Sequence, residues 1–187
     1  MNKHNLLALT IVLALLSRSV AEAQIATIPD GGFEQGLAPW SPRGSVAVGA
    51  FAKPHSGQRF ATFGVGSDGR PVAFSTTGSI EQVLSVPSSP NLAITFWVWN
   101  TTEETDPSVR DTVIVQLRDL AGSVLETRVI SNLDKSADYL RHVIPVAKYA
   151  NKIVRLSFLG SSNATKTTIY RLDDVAFAQV VNPTLSI

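Results

Sequence analysis

From Ser45 to Ala178 the chain alternates apolar and polar residues in short runs, and no window of helical length carries a 3.6-residue period. A run such as Thr112-Val-Ile-Val-Gln-Leu-Arg118 sends every second side chain to one face, so it can bury its apolar half only as a strand. Strands are predicted at Ser45–Phe51, Arg59–Phe63, Ser79–Val86, Leu92–Asn100, Thr112–Arg118, Ser123–Ile130, Tyr139–Val146, Ile153–Leu159 and Thr168–Ala178. Short strands at such spacing, broken by Gly, Pro, Asn and Ser, predict an all-β fold: an antiparallel jelly-roll β-sandwich of about 8–10 strands. Asp119-Leu-Ala-Gly122 reads as a tight hairpin with Gly122 at positive φ. Val146–Asn151 has room for one helical turn, stopped by Asn151 in the left-handed region. No internal repeat or linker divides the chain.

The first residues read as a targeting signal. Lys3 and His4 precede an apolar run, Leu6 to Leu16, whose 11 residues are too few to span a bilayer. Ala21-Glu-Ala23 fits a small-x-small cleavage site, with an uncleaved anchor as the alternative. The expected organisation is a signal peptide at 1–23, one sandwich domain at 24–180 and a loose tail at 181–187, in a secreted, extracellular or periplasmic protein of bacterial type. Cleavage removes Lys3, Arg18 and Glu22 from 16 basic and 15 acidic residues, which leaves both at 14. That balance argues against a nucleic-acid or anionic-membrane surface, and no later stretch is apolar enough to span a membrane. The chain has no cysteine, which excludes thiol catalysis and disulfides and argues against structural zinc.

Two sets of residues carry candidate chemistry. On the predicted strand Leu92–Asn100, Leu92, Ile94, Phe96 and Val98 form one apolar face, and Thr95, Trp97 and Trp99 form the other. Residues two apart on a strand are ~6.8 Å apart, so the two indoles could adjoin as stacking surfaces for sugar C–H faces. Val113, Val115, Leu117, Val154, Leu156 and Phe158 read as core, which turns Gln116, Arg118, Arg155 and Ser157 outward. If these faces share a sheet, Gln116, Arg118 and Arg155 could bond sugar hydroxyls beside the indoles. Alternatively, a loop covers Trp97 and Trp99 and they only pack. The second set is acidic. Asp30-Gly-Gly-Phe-Glu34 opens the domain and Leu172-Asp-Asp-Val175 lies on its last predicted strand. The first and last strands of a jelly roll are commonly neighbours, so Glu34 could meet Asp173 or Asp174 with Asp30 nearby. Otherwise these acids cap turns or pair with Arg59 or Arg171. The acidic loop Thr101–Asp111 reads as a solvated loop, with a second cation site as the alternative.

The order of Asp30-Gly-Gly-Phe-Glu34, Leu37-Ala-Pro-Trp40, Pro54-His-Ser-Gly57, Ile80-Glu-Gln82, Ile94-Thr-Phe-Trp-Val-Trp99, Tyr149–Arg155 and Leu172-Asp-Asp-Val-Ala-Phe177 resembles the galactose-binding-like jelly-roll superfamily. That superfamily includes bacterial carbohydrate-binding modules and accessory domains of secreted hydrolases and peptidases. Asp30 stands where the family often has Asn, and Asn151 where it often has Gly. The resemblance implies one structural Ca²⁺, with Glu34 and Asp173 as side-chain ligands, Asp30 and Asp174 as further candidates, and Ser56 giving its carbonyl. Neither a Gly-x-Ser-x-Gly elbow, a metalloprotease His pair nor a phosphate loop is present. Tyr139, Arg141 and His142 could be posed as a lyase set, but Arg141 and His142 are adjacent on a strand and point to opposite faces. The expected protein is a secreted, non-catalytic binder of a polysaccharide or cell-surface glycan. The alternatives are a structural or adhesive extracellular protein and a small secreted hydrolase or lyase.

Overall fold

The computed structural model describes residues 27–49, 52–66, 70–72 and 75–180. The expected signal peptide and tail lie outside them. The strands are β1 (Arg43–Gly44), β2 (Val46–Gly49), β3 (Phe60–Phe63), β4 (Thr76–Ser85), β5 (Leu92–Thr102), β6 (Thr112–Arg118), β7 (Val124–Ser131), β8 (Leu140–Pro145), β9 (Ile153–Ser162) and β10 (Thr168–Gln179). They form two antiparallel five-stranded sheets, in the order β1-β4-β9-β6-β7 and β2-β3-β10-β5-β8. The predicted single turn is the 3₁₀ segment Ala147–Tyr149, and Asn151 ends it at φ 62°. Gly122 has φ 93° in the β6–β7 hairpin. No helix of the described residues is long and apolar enough to cross a membrane.

Alternation places the core. Val113, Val115 and Leu117 of β6 and Val154, Leu156 and Phe158 of β9 face Ile94, Phe96 and Val98 of β5 and Leu172 of β10. Phe96 meets Phe158 edge to face, with centroids 5.2 Å apart, and this contact joins the sheets. Phe63 of β3 reaches across to Gly160 of β9, where an added Cβ would lie 2.6 Å from Phe63 Cβ. Only glycine leaves room for that ring. Exact side-chain fit of this kind adds the last few kcal/mol of core packing.

The opening segment closes one end of the sandwich. Phe33 and Trp40 are core residues with ring centroids 5.6 Å apart, and Trp40 Nε1 donates to the Asp30 carbonyl at 3.1 Å. Gln82, facing inward from β4, donates from Nε2 to the carbonyls of Pro29 and Pro39. Val175 N of β10 donates to Gly31 O at 2.9 Å. A Cβ on Gly31 would fall 1.9 Å from Val175 O, so the residue must be glycine for the segment to reach the last strand. The opening segment and the last strand therefore meet through their backbones, whereas the first strand, β1, pairs with β4 in the other sheet and is not a neighbour of β10.

Candidate functional site

The sheet order separates residues expected to act together. Trp97 and Trp99 are on β5, in the β2-β3-β10-β5-β8 sheet, while Gln116, Arg118 and Arg155 are on β6 and β9 of the other sheet. Both sets point away from the core, so they occupy opposite outer faces of the sandwich. A single cleft of Trp, Gln and Arg is not formed. Alternation had shown correctly which side chains point outward, but it carries no information about which strands share a sheet.

Loops cover the tryptophan face. In the row across that sheet Arg171 of β10 is directly opposite Trp99, and Thr62 of β3 is opposite Arg171. The Arg171 guanidinium lies 4.4 Å from the Trp99 ring centre, and its Nη1 donates to Thr101 Oγ1 at 3.0 Å. Trp99 Nε1 donates to the Ser136 carbonyl, and Tyr139 packs against Trp99 with centroids 5.8 Å apart. The His55 ring stacks on Trp97 at 3.9 Å and 20°. Each indole thus has one partner already on its face, which leaves no free pair of adjoining stacking surfaces. Burial lowers the Arg171 pKa and raises that of the Tyr139 phenol. Arg171 Nε, Tyr139 Oη and Thr62 Oγ1 are buried without a hydrogen-bond partner. His142 points inward from β8, stacks on Phe96 at 5.3 Å and is held below its usual pKa by burial. Arg141 is opposite Trp97 on the outside, so Arg141 and His142 do not share a site.

The acids at the chain ends converge on the loop before β3. Glu34 Oε1 accepts from Gln58 N at 2.8 Å and Arg59 N at 3.0 Å. Asp173 Oδ2 accepts from His55 N at 2.9 Å and Ser56 N at 3.2 Å, and its Oδ1 accepts from Asp174 N. Asp174 binds His55 Nδ1 at 2.5 Å and accepts from Ser56 Oγ at 2.7 Å. Asp30 turns to its own loop, accepting from Gln35 N. Asp173 is fully buried, and that burial pushes its carboxyl up to about 6 despite the backbone donors. Of the alternative reading for these acids, the capping of turns is seen, through backbone N–H groups, and no pairing with the Arg59 or Arg171 side chains is seen among the described residues. No group of three or more His, Asp or Glu among the described residues is arranged to hold a metal. A calcium ion here would therefore need backbone carbonyls beside Glu34 and Asp173. A buried carboxylate with no cationic side chain as partner fits such an ion.

The acidic loop is pinned by protein donors. Glu104 Oε1 accepts from Thr165 Oγ1 at 2.5 Å, Asp106 from Ser108 N and Arg110 Nη2, and buried Asp111 from Asn163 N and Thr168 Oγ1. Its carboxylates fasten the loop to β10 and its neighbours.

The outer face of the β1-β4-β9-β6-β7 sheet is different. Ser157 of β9 is flanked by Glu81 of β4 and Gln116 of β6, and Arg155 is flanked by Val83 and Arg118. Thr127 of β7 extends the first row beyond Gln116. Gln116 Oε1 accepts from Arg118 Nε and Nη2, at 3.1 and 2.5 Å, and Arg155 Nε is 3.4 Å from Glu81 Oε1. Val83, Leu159 and Val129 add exposed apolar surface on the same face. Polar side chains held by one another beside apolar patches can bind a flat ligand with mixed polar and C–H surfaces.

No family model and no curated protein matches the chain. Solved structures do. The carbohydrate-binding module TmCBM61, in complex with β-1,4-galactotriose, superposes with a TM-score of 0.60 at 16% identity, covering 82% of this chain and 97% of that one. A structure of carbohydrate-binding modules from the β-sandwich superfamily gives 0.51 at 14% identity, over 80% of this chain and 61% of that one. The K3 adhesin domain of Lys-gingipain from Porphyromonas gingivalis W83 gives 0.51 at 14% identity, over 82% and 99%. These likenesses show the fold, an antiparallel two-sheet β-sandwich that carbohydrate-binding modules and an adhesin domain share.

Proposed function

We propose that this protein is an exported, non-catalytic glycan-binding sandwich whose ligand lies across the outer face of the β1-β4-β9-β6-β7 sheet. The observation that carries this reading is the cross-strand array Glu81–Ser157–Gln116–Thr127 beside Val83–Arg155–Arg118. Directly opposed residues on a sheet lie about 5 Å apart, a spacing that suits successive hydroxyls of a sugar chain, and Gln116 holds Arg118 in place. The structural neighbours include a module bound to β-1,4-galactotriose, which supports a carbohydrate as the ligand class. Calcium bound by Glu34 and Asp173 would stabilise the chain ends.

Affinity electrophoresis of the full chain through gels containing galactan, xylan or other polysaccharides tests the reading. Retardation in at least one gel is expected, with loss in Gln116→Ala and Arg155→Ala and retention in Trp97→Ala. No retardation in any gel would sink it. A second reading, a structural or adhesive extracellular protein, is favoured by the engagement of Trp97 with His55 and of Trp99 with Arg171. Under that reading these side chains serve packing alone.

A further inference from the structure

We infer that the outer face of the β1-β4-β9-β6-β7 sheet selects an anionic glycan, a polysaccharide carrying carboxylate or sulfate groups, over a neutral one. The inference rests on the glycan-binding reading and adds the charge of the ligand. Arg118 and Arg155 are direct cross-strand partners. Like charges placed opposite each other on a sheet repel and destabilise it. The surrounding residues neutralise this pair only in part. Arg118 is held by Gln116, a neutral acceptor that uses its Nε and Nη2. Arg155 has Glu81, but the 3.4 Å approach of Nε is not an aligned hydrogen bond, and Nε is buried without a partner. Arg43 of β1 is opposite Ser79, on the side of β4 that also carries Glu81. The outward positions of this sheet thus gather three arginines around one glutamate.

That excess does not follow from composition, since the domain expected after cleavage has equal numbers of acidic and basic residues. Planar guanidinium groups take carboxylate and sulfate oxygens through paired N–H donors. Gln116 orients Arg118 in advance, so less freedom is lost when an anion arrives. An anionic group between Arg118 and Arg155 would relieve their repulsion, while Ser157, Thr127 and Gln116 remain for hydroxyls.

Isothermal titration of the full chain with polygalacturonate, with a sulfated galactan and with neutral galactan tests this. At least one anionic polymer is expected to bind about tenfold more tightly than neutral galactan, and its identity tells carboxylate from sulfate. Arg118→Gln and Arg155→Gln are each expected to lose about tenfold, the scale of one charge-assisted hydrogen bond. The charge-matched controls are Arg128→Gln, on β7 opposite core-facing Val115 and so turned away from the proposed face, and Arg141→Gln, opposite Trp97 on the other sheet; each should change binding less than about twofold, a screened surface effect. Equal loss in the controls would reduce the effect to net charge and overturn the inference. Equal binding of single-stranded DNA would overturn it in favour of a general polyanion surface. Tighter binding of neutral galactan would overturn it and leave the glycan reading standing. No binding of any polysaccharide would end both.

Discussion

Glu34 allows the seating of the opening segment on the loop before β3 to be tested quantitatively. Its Oε1 accepts two backbone N–H groups, from Gln58 and Arg59, next to Gly57 at φ 59°. A hydrogen bond to a charged group contributes about 1.5–3 kcal/mol when shielded, but Glu34 is exposed, and solvent screening reduces the pair to about 1–2 kcal/mol together. Glu34→Gln keeps an oxygen that can accept both bonds without the charge, and should cost about half as much. For a domain of this size 1 kcal/mol moves Tm by about 2–4 °C. In chelator, Glu34→Ala should therefore melt about 2–8 °C below wild type, with Glu34→Gln between them. If calcium binds here with a Kd about a hundredfold below the calcium concentration used, it adds about 2.7 kcal/mol to wild type and nothing to Glu34→Ala. Thermal unfolding followed by circular dichroism, in chelator and in calcium, reads both effects. A wild-type Tm that ignores calcium refutes the metal. A Glu34→Ala protein as stable as wild type in chelator refutes the hydrogen-bond account.

Three further outcomes are expected. Gly160→Ala should cost about 1–3 kcal/mol in urea unfolding by overpacking against Phe63, and Phe63→Leu in the same chain should recover part of that loss; strictly additive costs would show that the two residues do not press on each other. Asp111→Ala should cost about 1–3 kcal/mol, because it leaves Asn163 N without its acceptor beside a buried site, whereas Thr168 Oγ1 keeps Thr102 Oγ1 as a partner, and an unchanged urea midpoint would contradict this. Burial depresses the His142 pKa in the folded state, so its contribution is present above the unfolded value of about 6.5 and is lost as pH falls below it; buried Asp173, with its carboxyl pushed up to about 6, works in the opposite direction in both proteins, so the Tm of wild type relative to His142→Phe should fall between pH ~7.5 and ~5, and a constant difference would rule out His142.

Sequence and structure agree wherever the information is local. Alternation located β6 at its exact bounds and the other predicted strands to within a few residues, because a period of two is a property of one strand alone. Asn151 and Gly122 could be identified as positive-φ positions from residue type. β1, only two residues long, offers too little pattern to be seen. The assignment of strands to sheets was not readable in this way. Each of β5, β6 and β9 shows an apolar face and a polar face, and nothing in that pattern says that β5 pairs with β8 and β10 while β6 pairs with β7 and β9. Hence Trp97 and Arg155 looked like possible neighbours. The stacking of His55 on Trp97 joins residues far apart in the chain through a loop, and no periodicity records it. The acidic ends were legible as a pair. Their capture by backbone N–H groups was not, since a carboxylate's donor depends on a loop conformation that residue identity leaves open.

β10, the last strand, lies in the middle of its sheet, hydrogen-bonded to β3 on one side and β5 on the other. A nascent chain that has not yet released Thr168–Gln179 holds β3 and β5 apart, with the facing edges of both strands unpaired. Val175 is also missing as the donor for Gly31, so the opening segment has nothing to close against. The sandwich can therefore close only after β10 has been made, so folding of this domain must follow the synthesis of its last strand rather than keep pace with it.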